Sequence, residues 1–579
     1  MRSRLIQVIA TIFFTLLSSV PASADAGTCR PEEEAGSGEQ KTLLFGDLHV
    51  HTAYSLDAYA FGTLATPQDA YAFARGQSLR LENGQILTID RPLDFAAVTD
   101  HAETWEITYS CTDPIYSDIS YCRQLRALRD AGDGRGVFVN FLLPVVTAEP
   151  PVPAPFCDRL DCSQANVGQW RRVRQAADRA NEPCEFTALI GYEWTATPDG
   201  RHWHRNVIFR SDQVPEQAFD YIRYPSVDRL WTALAEHCRP ADGCDAVAIP
   251  HNLNWTDGGT FDVENDSSEV AALRARYERL AEIHQEKGSS ECLPERRDGG
   301  DRSDCGFELV EVNTAKLRVL GPPDDPDAAW QEMRSGYYRS LLGRGLAAYE
   351  ANSRALNPLQ LGAIGSTDGH FAASGFTDEA TYNGGVLAIW ADPETLLANP
   401  VYNPGGLVGV WAEENTRASI FDALKRREAY ATSGTRIRMR FGVTAKNACE
   451  TDTVTFSTPM GGTITDAAHR TLTVLAAKDK TPLAAIDIVK GSLVNGQPVE
   501  SVLRIAEFES GQDTACVTWS DPDPAVGPEY WYARVIEQPT PRWSKHLCEK
   551  LDLCAKYPDA DRMIEERAWS SPVWYLPAP

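Results

Sequence analysis

Basic residues are in short supply. Lys and Arg total 55 against 81 Asp and Glu, for a formal net charge of -26. A surface that acidic argues against nucleic acid or an anionic membrane as a main partner, because both are held through basic patches. An anionic substrate would need a local positive focus, such as bound metal ions. Cys-x-x-Cys and the zinc-ribbon spacing are both absent, which removes the commonest thiolate metal sites. No run after residue 20 is long and apolar enough to span a bilayer. Internal repeats and long low-complexity tracts are missing, which excludes a repeat array. Histidine is sparse, with 11 in 579 residues, so where the histidines fall carries information.

What is present begins with a processing signal. Arg2 and Arg4 precede an apolar stretch at 5–20, and Ala22-Ser23-Ala24 and Ala24-Asp25-Ala26 both fit a small-residue cleavage site. Residues 1–26 therefore read as a signal peptide, and the mature chain as soluble, periplasmic or secreted, with no membrane contact after cleavage. All 14 cysteines lie beyond that point, and their number is even. Cys111/Cys122, Cys157/Cys162, Cys238/Cys244, Cys292/Cys305 and Cys548/Cys554 are close neighbours in loop-like sequence. Disulfides clipping surface insertions in an oxidising compartment fit them better than metal binding does. Cys449 and Cys516 are a further candidate pair, which leaves Cys29 and Cys184. Connectivity as a whole stays open.

Hydrophobic residues make up 43% of the chain, ample for a large core. Apolar, β-rich runs at 42–48, 95–99, 187–192, 246–249, 307–312 and 361–366, with a further candidate at 386–390, alternate with helical patterns at 67–75, 169–180 and 268–286. Buried strands alternating with helices indicate a parallel α/β architecture, and about seven of them suggest a barrel-like sheet. In such a sheet functional residues gather at the carboxyl ends of the strands. A helical stretch at 420–427 closes this region, assigned to 41–440. From 441 to 579 short strand-like runs separated by turns read as a smaller β-rich, sandwich-like domain. Its Trp519, Trp531, Trp543, Trp569 and Trp574 fit either a carbohydrate-binding face or core packing.

The strand ends carry a series of metal-ligand residue types. The first run ends in Asp47-Leu48-His49-Val50-His51, and side chains two apart on a strand point to the same side. Asp57 follows within a short loop. The second ends in Asp100-His101, the third in Glu193. Thr197-Pro198-Asp199-Gly200 is a turn signal, so 202–210 doubles back as a hairpin and brings His202 or His204 beside Glu193. Pro250-His251-Asn252 ends the 246–249 run, and Thr367-Asp368-Gly369-His370 the 361–366 run. Each has a bland alternative as a cap, a turn or an exposed polar side chain. Yet seven of the 11 histidines fall in this series. His237, His284, His469 and His546 lie outside it and receive no metal role.

These motifs, Asp-Leu-His-Val-His-Thr at 47–52, Thr-Asp-His at 99–101, Gly-Tyr-Glu at 191–193, Pro-His-Asn at 250–252 and Ser-Thr-Asp-Gly-His at 366–370, resemble in order those of the PHP (polymerase and histidinol phosphatase) superfamily. With the signal peptide, cysteines and C-terminal β region, the chain looks most like an exported branch catalogued as a domain of unknown function. The resemblance implies a distorted (β/α)7 barrel holding two or three divalent ions, with His49, His51, Asp57, His101, Glu193, His204, His251, Asp368 and His370 as ligands. Glu103 and Glu311 are expected beside the site.

A cluster of His and carboxylate without Cys suits Zn, Mn or Fe. The expected reaction is attack of metal-bound hydroxide on a phosphate ester. Glu193 or Asp368 would bridge ions, and His251 or a water would protonate the leaving oxygen. Arg205, Lys316, Arg318 and Asn252 are candidates for holding a small, anionic, phosphorylated substrate. Two alternatives remain in view: an amidohydrolase-type hydrolase of amides, lactones or phosphotriesters, and a metal-stabilised extracellular binding module without catalysis.

Overall fold

The apolar run at 42–48 forms the strand Thr42–Asp47, and its neighbours organise the first part of the chain. In this computed structural model, which describes residues 29, 41–112, 118–295, 304–310, 325–389, 391–451 and 453–578, it pairs in parallel with Phe95–Ala97, and that strand in parallel with Thr187–Leu189. On its other edge it runs antiparallel to Leu407–Ala412, which is antiparallel to Ala429–Thr432. A second sheet holds Gly191–Trp194, Arg205–Phe209 and Ala246–Pro250, antiparallel throughout. In a third, Leu280–Gln285 lies parallel to Gly362–Gly365. The three sheets share one apolar interior, in which Leu44, Phe95, Leu189, Ile208, Val247, Leu280, Ile364 and Val408 meet Phe421 and Leu424 of the helix Arg417–Arg426. Burying one row of side chains from every strand in a common core is what holds the strand ends together.

The architecture is mixed α/β, and several expectations need correction. The sheet is not uniformly parallel. Between Gly191 and Pro250 the chain meanders, because Asp199 (φ 51°) and Gly200 (φ 74°) adopt left-handed backbone that reverses it within a few residues. A parallel return would need a crossover of a dozen residues or more. The helix expected at 268–286 stops at Tyr277, and 280–285 is a fully buried strand. Residues 307–310 lie in turns and coil rather than a strand, and 311–324 fall outside the described residues. Residues Gly385–Ile389 form a 3-10 turn instead of a strand, after Gly384 and Gly385 take positive φ.

Beyond residue 440, Arg438–Val443, Thr471–Ala477 and Thr514–Ser520 form an antiparallel sheet. It packs on a second sheet built from Leu483–Val494, Gln497–Gln512, Glu529–Glu537, Arg567–Ser570 and Val573–Tyr575. Met439, Phe441, Leu472 and Val474 on one side meet Ile486, Ile488, Trp531 and Val535 on the other. The second sheet continues through Arg567–Ser570 onto Ala429–Thr432, so backbone pairing runs unbroken from the first region into the C-terminal strands. Trp531, Trp543, Trp569 and Trp574 are buried, which makes them packing residues rather than an exposed binding face.

All 14 cysteines are paired, in seven disulfides. The six pairs named above form as expected, and Cys29 joins Cys184. Complete pairing fits an oxidising environment. Residues 1–26, expected to be a signal peptide, lie outside the described residues, among which no helix is long and apolar enough to cross a membrane.

Candidate metal centre

Asp47 anchors the first strand end. Its buried carboxylate accepts hydrogen bonds from Thr367 N (3.1 Å), Thr367 Oγ1 (2.7 Å) and Gly375 N (2.8 Å). Asp368 N in turn donates to His49 O (2.8 Å), and His51 N to Gly369 O (2.9 Å). The Asp368 loop is thereby laced to His49 and His51, with Asp368 itself left-handed at φ 53°. Strand alternation does the rest. Val50 turns into the apolar core while the flanking imidazoles share the opposite face.

Four donor atoms converge there. His49 Nε2 lies 3.1 Å from His51 Nε2, 3.1 Å from Glu193 Oε2 and 3.3 Å from Asp368 Oδ1. His51 Nε2 is 3.3 Å from each of the same two carboxylate oxygens. The other oxygen of Glu193 faces a second group: His204 Nδ1 at 2.9 Å, His101 Nδ1 at 3.2 Å and His251 Nε2 at 3.3 Å. Asp57 Oδ2 stands 3.1 Å from both His101 Nε2 and His370 Nε2. Glu193 therefore sits between two sets of nitrogens, one on each oxygen.

The residues fit divalent cations. Donors bound to one ion at about 2.0–2.2 Å in tetrahedral directions stand roughly 3.3–3.6 Å apart, close to the spacing of the four-atom set. His251 is buried, and neither ring nitrogen makes a hydrogen bond. Electrostatics agrees. Burial opposes ionisation of Asp57, Glu193 and Asp368, yet each carboxyl is held well below its usual range: Asp57 by His101 and His370, Glu193 by His101 and His251, Asp368 by His49 and Lys287. Against the same burial, Asp368 and Glu282 raise His49 well above the usual imidazole value, and Asp57 raises His370 to about 10. Buried carboxylates push positive charge onto His49, His101 and His370, while burial lowers His51, His204 and His251, a mixture of anions and neutral donors that suits cations.

The structure brings together His49, His51, Asp57, His101, Glu193, His204, His251, Asp368 and His370. His204, rather than His202, approaches Glu193. His202 packs beside it, its ring centroid 4.8 Å from that of His204 and 5.1 Å from that of Trp255. Asn252 lies next to the cluster: its Nδ2 is 3.2 Å from His204 Nδ1, and its Oδ1 accepts from Gln285 Nε2. Glu103 is beside His101 at 3.7 Å, and burial pushes its carboxyl up to about 8. Arg205 is corrected. Its guanidinium is buried away from the cluster against Glu278 Oε1 (2.8 Å) and Thr260 Oγ1 (2.8 Å). Glu311, Lys316 and Arg318 lie outside the described residues. His284 packs between Phe307 and Trp569, apart from the donors.

Three contributors escaped the sequence reading. Glu282 lies 3.0 Å from His49 Nδ1 and fixes which ring nitrogen faces the centre. Ser55 does the same for His51 Nδ1 (2.9 Å) while donating to Asp100 (2.7 Å). Lys287 contacts Asp368 Oδ2. Glu282 was hidden by the helix expected through 286, and Lys287 follows directly after it.

Residues 38–514 and 506–577 match the family described as protein of unknown function DUF3604. The chain belongs to that family. It is also similar to a curated protein of Chlamydia pneumoniae described as uncharacterized, 21% identical over 411 residues. That alignment covers 70% of this chain and 49% of the relative, so the chain spans about half the length of the curated relative it matches. No solved structure matches.

Proposed function

We propose that the chain is an exported metal-dependent hydrolase of phosphate esters, built on a distorted (β/α)7 barrel of the PHP type and using two or three divalent ions of Zn, Mn or Fe. The observation that carries this reading is Glu193, whose two oxygens face separate groups of histidine nitrogens at 2.9–3.3 Å. The seven disulfides support export to an oxidising compartment.

Bound divalent ions would lower the pKa of a coordinated water towards about 7 and neutralise charge on phosphoryl oxygens. The protein's own residues set up that chemistry. Glu193 spans the donor groups and would help to hold an ion on either side. Glu282 and Ser55 aim the lone pairs of His49 and His51 inward. Burial and His49 push His251 down to about 3, so its ring is neutral and offers a lone pair rather than a proton. On this reading His251 serves as a donor, and water rather than His251 protonates the leaving oxygen. Asp57, His101 and His370 form the more accessible flank, where side-chain exposure reaches 7–12% against 0% for His49 and His51. Substrate would enter from that flank.

The test is direct. The mature chain, loaded with Mn, Zn or Fe, is assayed on aryl phosphate mono- and diesters and, in parallel, on amides and lactones. Phosphate ester turnover that disappears with the ions in His370→Ala supports the reading. Turnover of amides or lactones alone would move it to an amidohydrolase.

A further inference from the structure

Lys287 occupies a position that its surroundings define closely. It sits at the tip of the hairpin joining Leu280–Gln285 to Gly288–Ser289, where Gly288 has φ 94° and an added Cβ would lie 2.4 Å from Glu308 O. Lys287 N donates to Gln285 Oε1 (2.9 Å), and Lys287 O accepts from Asn254 Nδ2 (2.9 Å). Glu286 N donates to Thr367 O (3.0 Å), and Gln285 Nε2 to Asn252 Oδ1 (2.8 Å). The tip is thus braced against both the loop that carries His251 and the loop that carries Asp368.

Its ammonium reaches Asp368 Oδ2, the oxygen turned away from His49 and His51. Glu286 Oε1 is 3.9 Å away, and the Trp255 ring centroid 5.8 Å. The side chain is 15% exposed where Asp368 is 2%, and its ammonium meets Asp368 on the side opposite His49 and His51. An ammonium has three N–H donors, and a single hydrogen bond, to Asp368, with Glu286 paired at longer range, leaves capacity for an incoming oxygen. With Asp368 engaged by bound ions, the Lys287 ammonium would add to the positive focus that an anion requires on a protein of net charge -26.

We infer that Lys287 binds a phosphoryl oxygen of the substrate and that the substrate is a phosphate monoester. The inference rests on the phosphoesterase reading above. A monoester carries up to two negative charges near neutral pH and three terminal oxygens, enough to meet the donor cluster and the ammonium together. A diester carries one charge and has two such oxygens, so it gains less from the added cation.

The experiment uses the metal-loaded mature chain and inorganic phosphate, with binding measured by calorimetry and metal content by elemental analysis in parallel. Lys287→Met should keep its metals and bind phosphate about ten- to a hundredfold more weakly, the usual loss for a hydrogen bond to a charged group. Lys287→Arg should recover part of that loss. On substrates, Lys287→Met should raise KM for an aryl phosphate monoester much more than for the matching diester. Phosphate binding unchanged in Lys287→Met would overturn the inference. So would loss of metal in that variant, since it would make Lys287 a brace for Asp368. A wild-type protein that holds its metals but neither binds phosphate nor turns over any phosphate ester would instead sink the phosphoesterase reading itself.

Discussion

Two of the buried charged clusters among the described residues are built to opposite ends. Around Glu291, where the first region meets the C-terminal strands, fixed cations answer the carboxylates. Glu291 Oε1 accepts from Arg339 Nη2 (2.7 Å) and Tyr532 OH (2.6 Å), and Oε2 from Trp569 Nε1 (2.7 Å). Arg534 Nη2 donates to Asp304 Oδ1 and Asp487 Oδ2, both at 2.9 Å. Guanidinium forks hand each carboxylate its hydrogen bonds, and nothing in the cluster asks for a further ligand. Around Glu193 the carboxylates face imidazoles whose lone pairs point at one another. Protons alone can hold such a cluster together, and only by charging buried histidines. Burial of charge is common to both. What separates a brace from a binding site is whether the chain supplies its own cations.

The contrast breaks most sharply at its two central carboxylates. Glu193→Gln should strip the centre, lowering metal affinity by at least about a hundredfold, the upper end of the loss seen even when a residue behind a ligand is changed. Elemental analysis after dialysis reads this, and unfolding in urea after chelation should be little affected. Glu291→Gln should do the reverse. It leaves Arg339 and Arg534 short of a buried partner, at about 3–5 kcal/mol of stability by denaturant unfolding, while the folded fraction keeps its metals. If both variants lost metal, or both lost stability alike, the two clusters would not be different kinds of thing.

Glu282→Gln sharpens the comparison with a smaller step. Freed from its carboxylate partner, His49 should bind metal about ten- to a hundredfold more weakly without loss of fold, as competition with a chelator would measure. Arg205→Ala should lower stability by removing the closer of the two guanidinium groups that Glu278 meets, leaving it Arg274 at 3.3 Å, and leave KM for any substrate unchanged, because the Arg205 guanidinium faces away from the donors.

The pH dependences differ as well, with modest expected effects. Arg339 and Arg534 overcome burial to hold Glu291 well below its usual 4.5. A folded value below the unfolded one means that this stabilisation is present above pH 4.5 and is lost as pH falls. Unfolding at about pH 7 and about pH 4 should show that loss in the wild type and less of it in Glu291→Gln. In the chelated protein, Asp57 keeps His370 protonated up to about 10 against the pull of burial. Metal must displace that proton, so its affinity should rise with pH across the neutral range, with proton release seen as buffer-dependent heats in calorimetry.

Much of the centre was legible in the sequence because strands alternate. His49 and His51 two apart, and Asp-His or Asp-Gly-His at the ends of apolar runs, place side chains on one face with no knowledge of the partners. The same rule counted against Arg205 as a site residue. Its neighbour His204 points into the cluster, so Arg205 must point out, and the structure pairs it with Glu278 there. Glu282 was illegible for a different reason. Residues 268–286 carry apolar positions that suit a helix and a buried strand alike, and only pairing with Gly362–Gly365 decides where one stops and the other starts. The continuity of sheet from Ala429–Thr432 to Arg567–Ser570 joins segments far apart in sequence, which no local pattern announces.

We propose that the Glu193 cluster, and not the Glu291 cluster, holds divalent cations. Elemental analysis of the mature protein, purified without chelator or added metal and compared with Glu193→Gln and Glu291→Gln, tests it most directly. Two or three equivalents of Zn, Mn or Fe in the wild type and in Glu291→Gln, and almost none in Glu193→Gln, is the expected result. A wild-type protein that carries no metal, and takes up none when Zn, Mn or Fe is supplied, would contradict it.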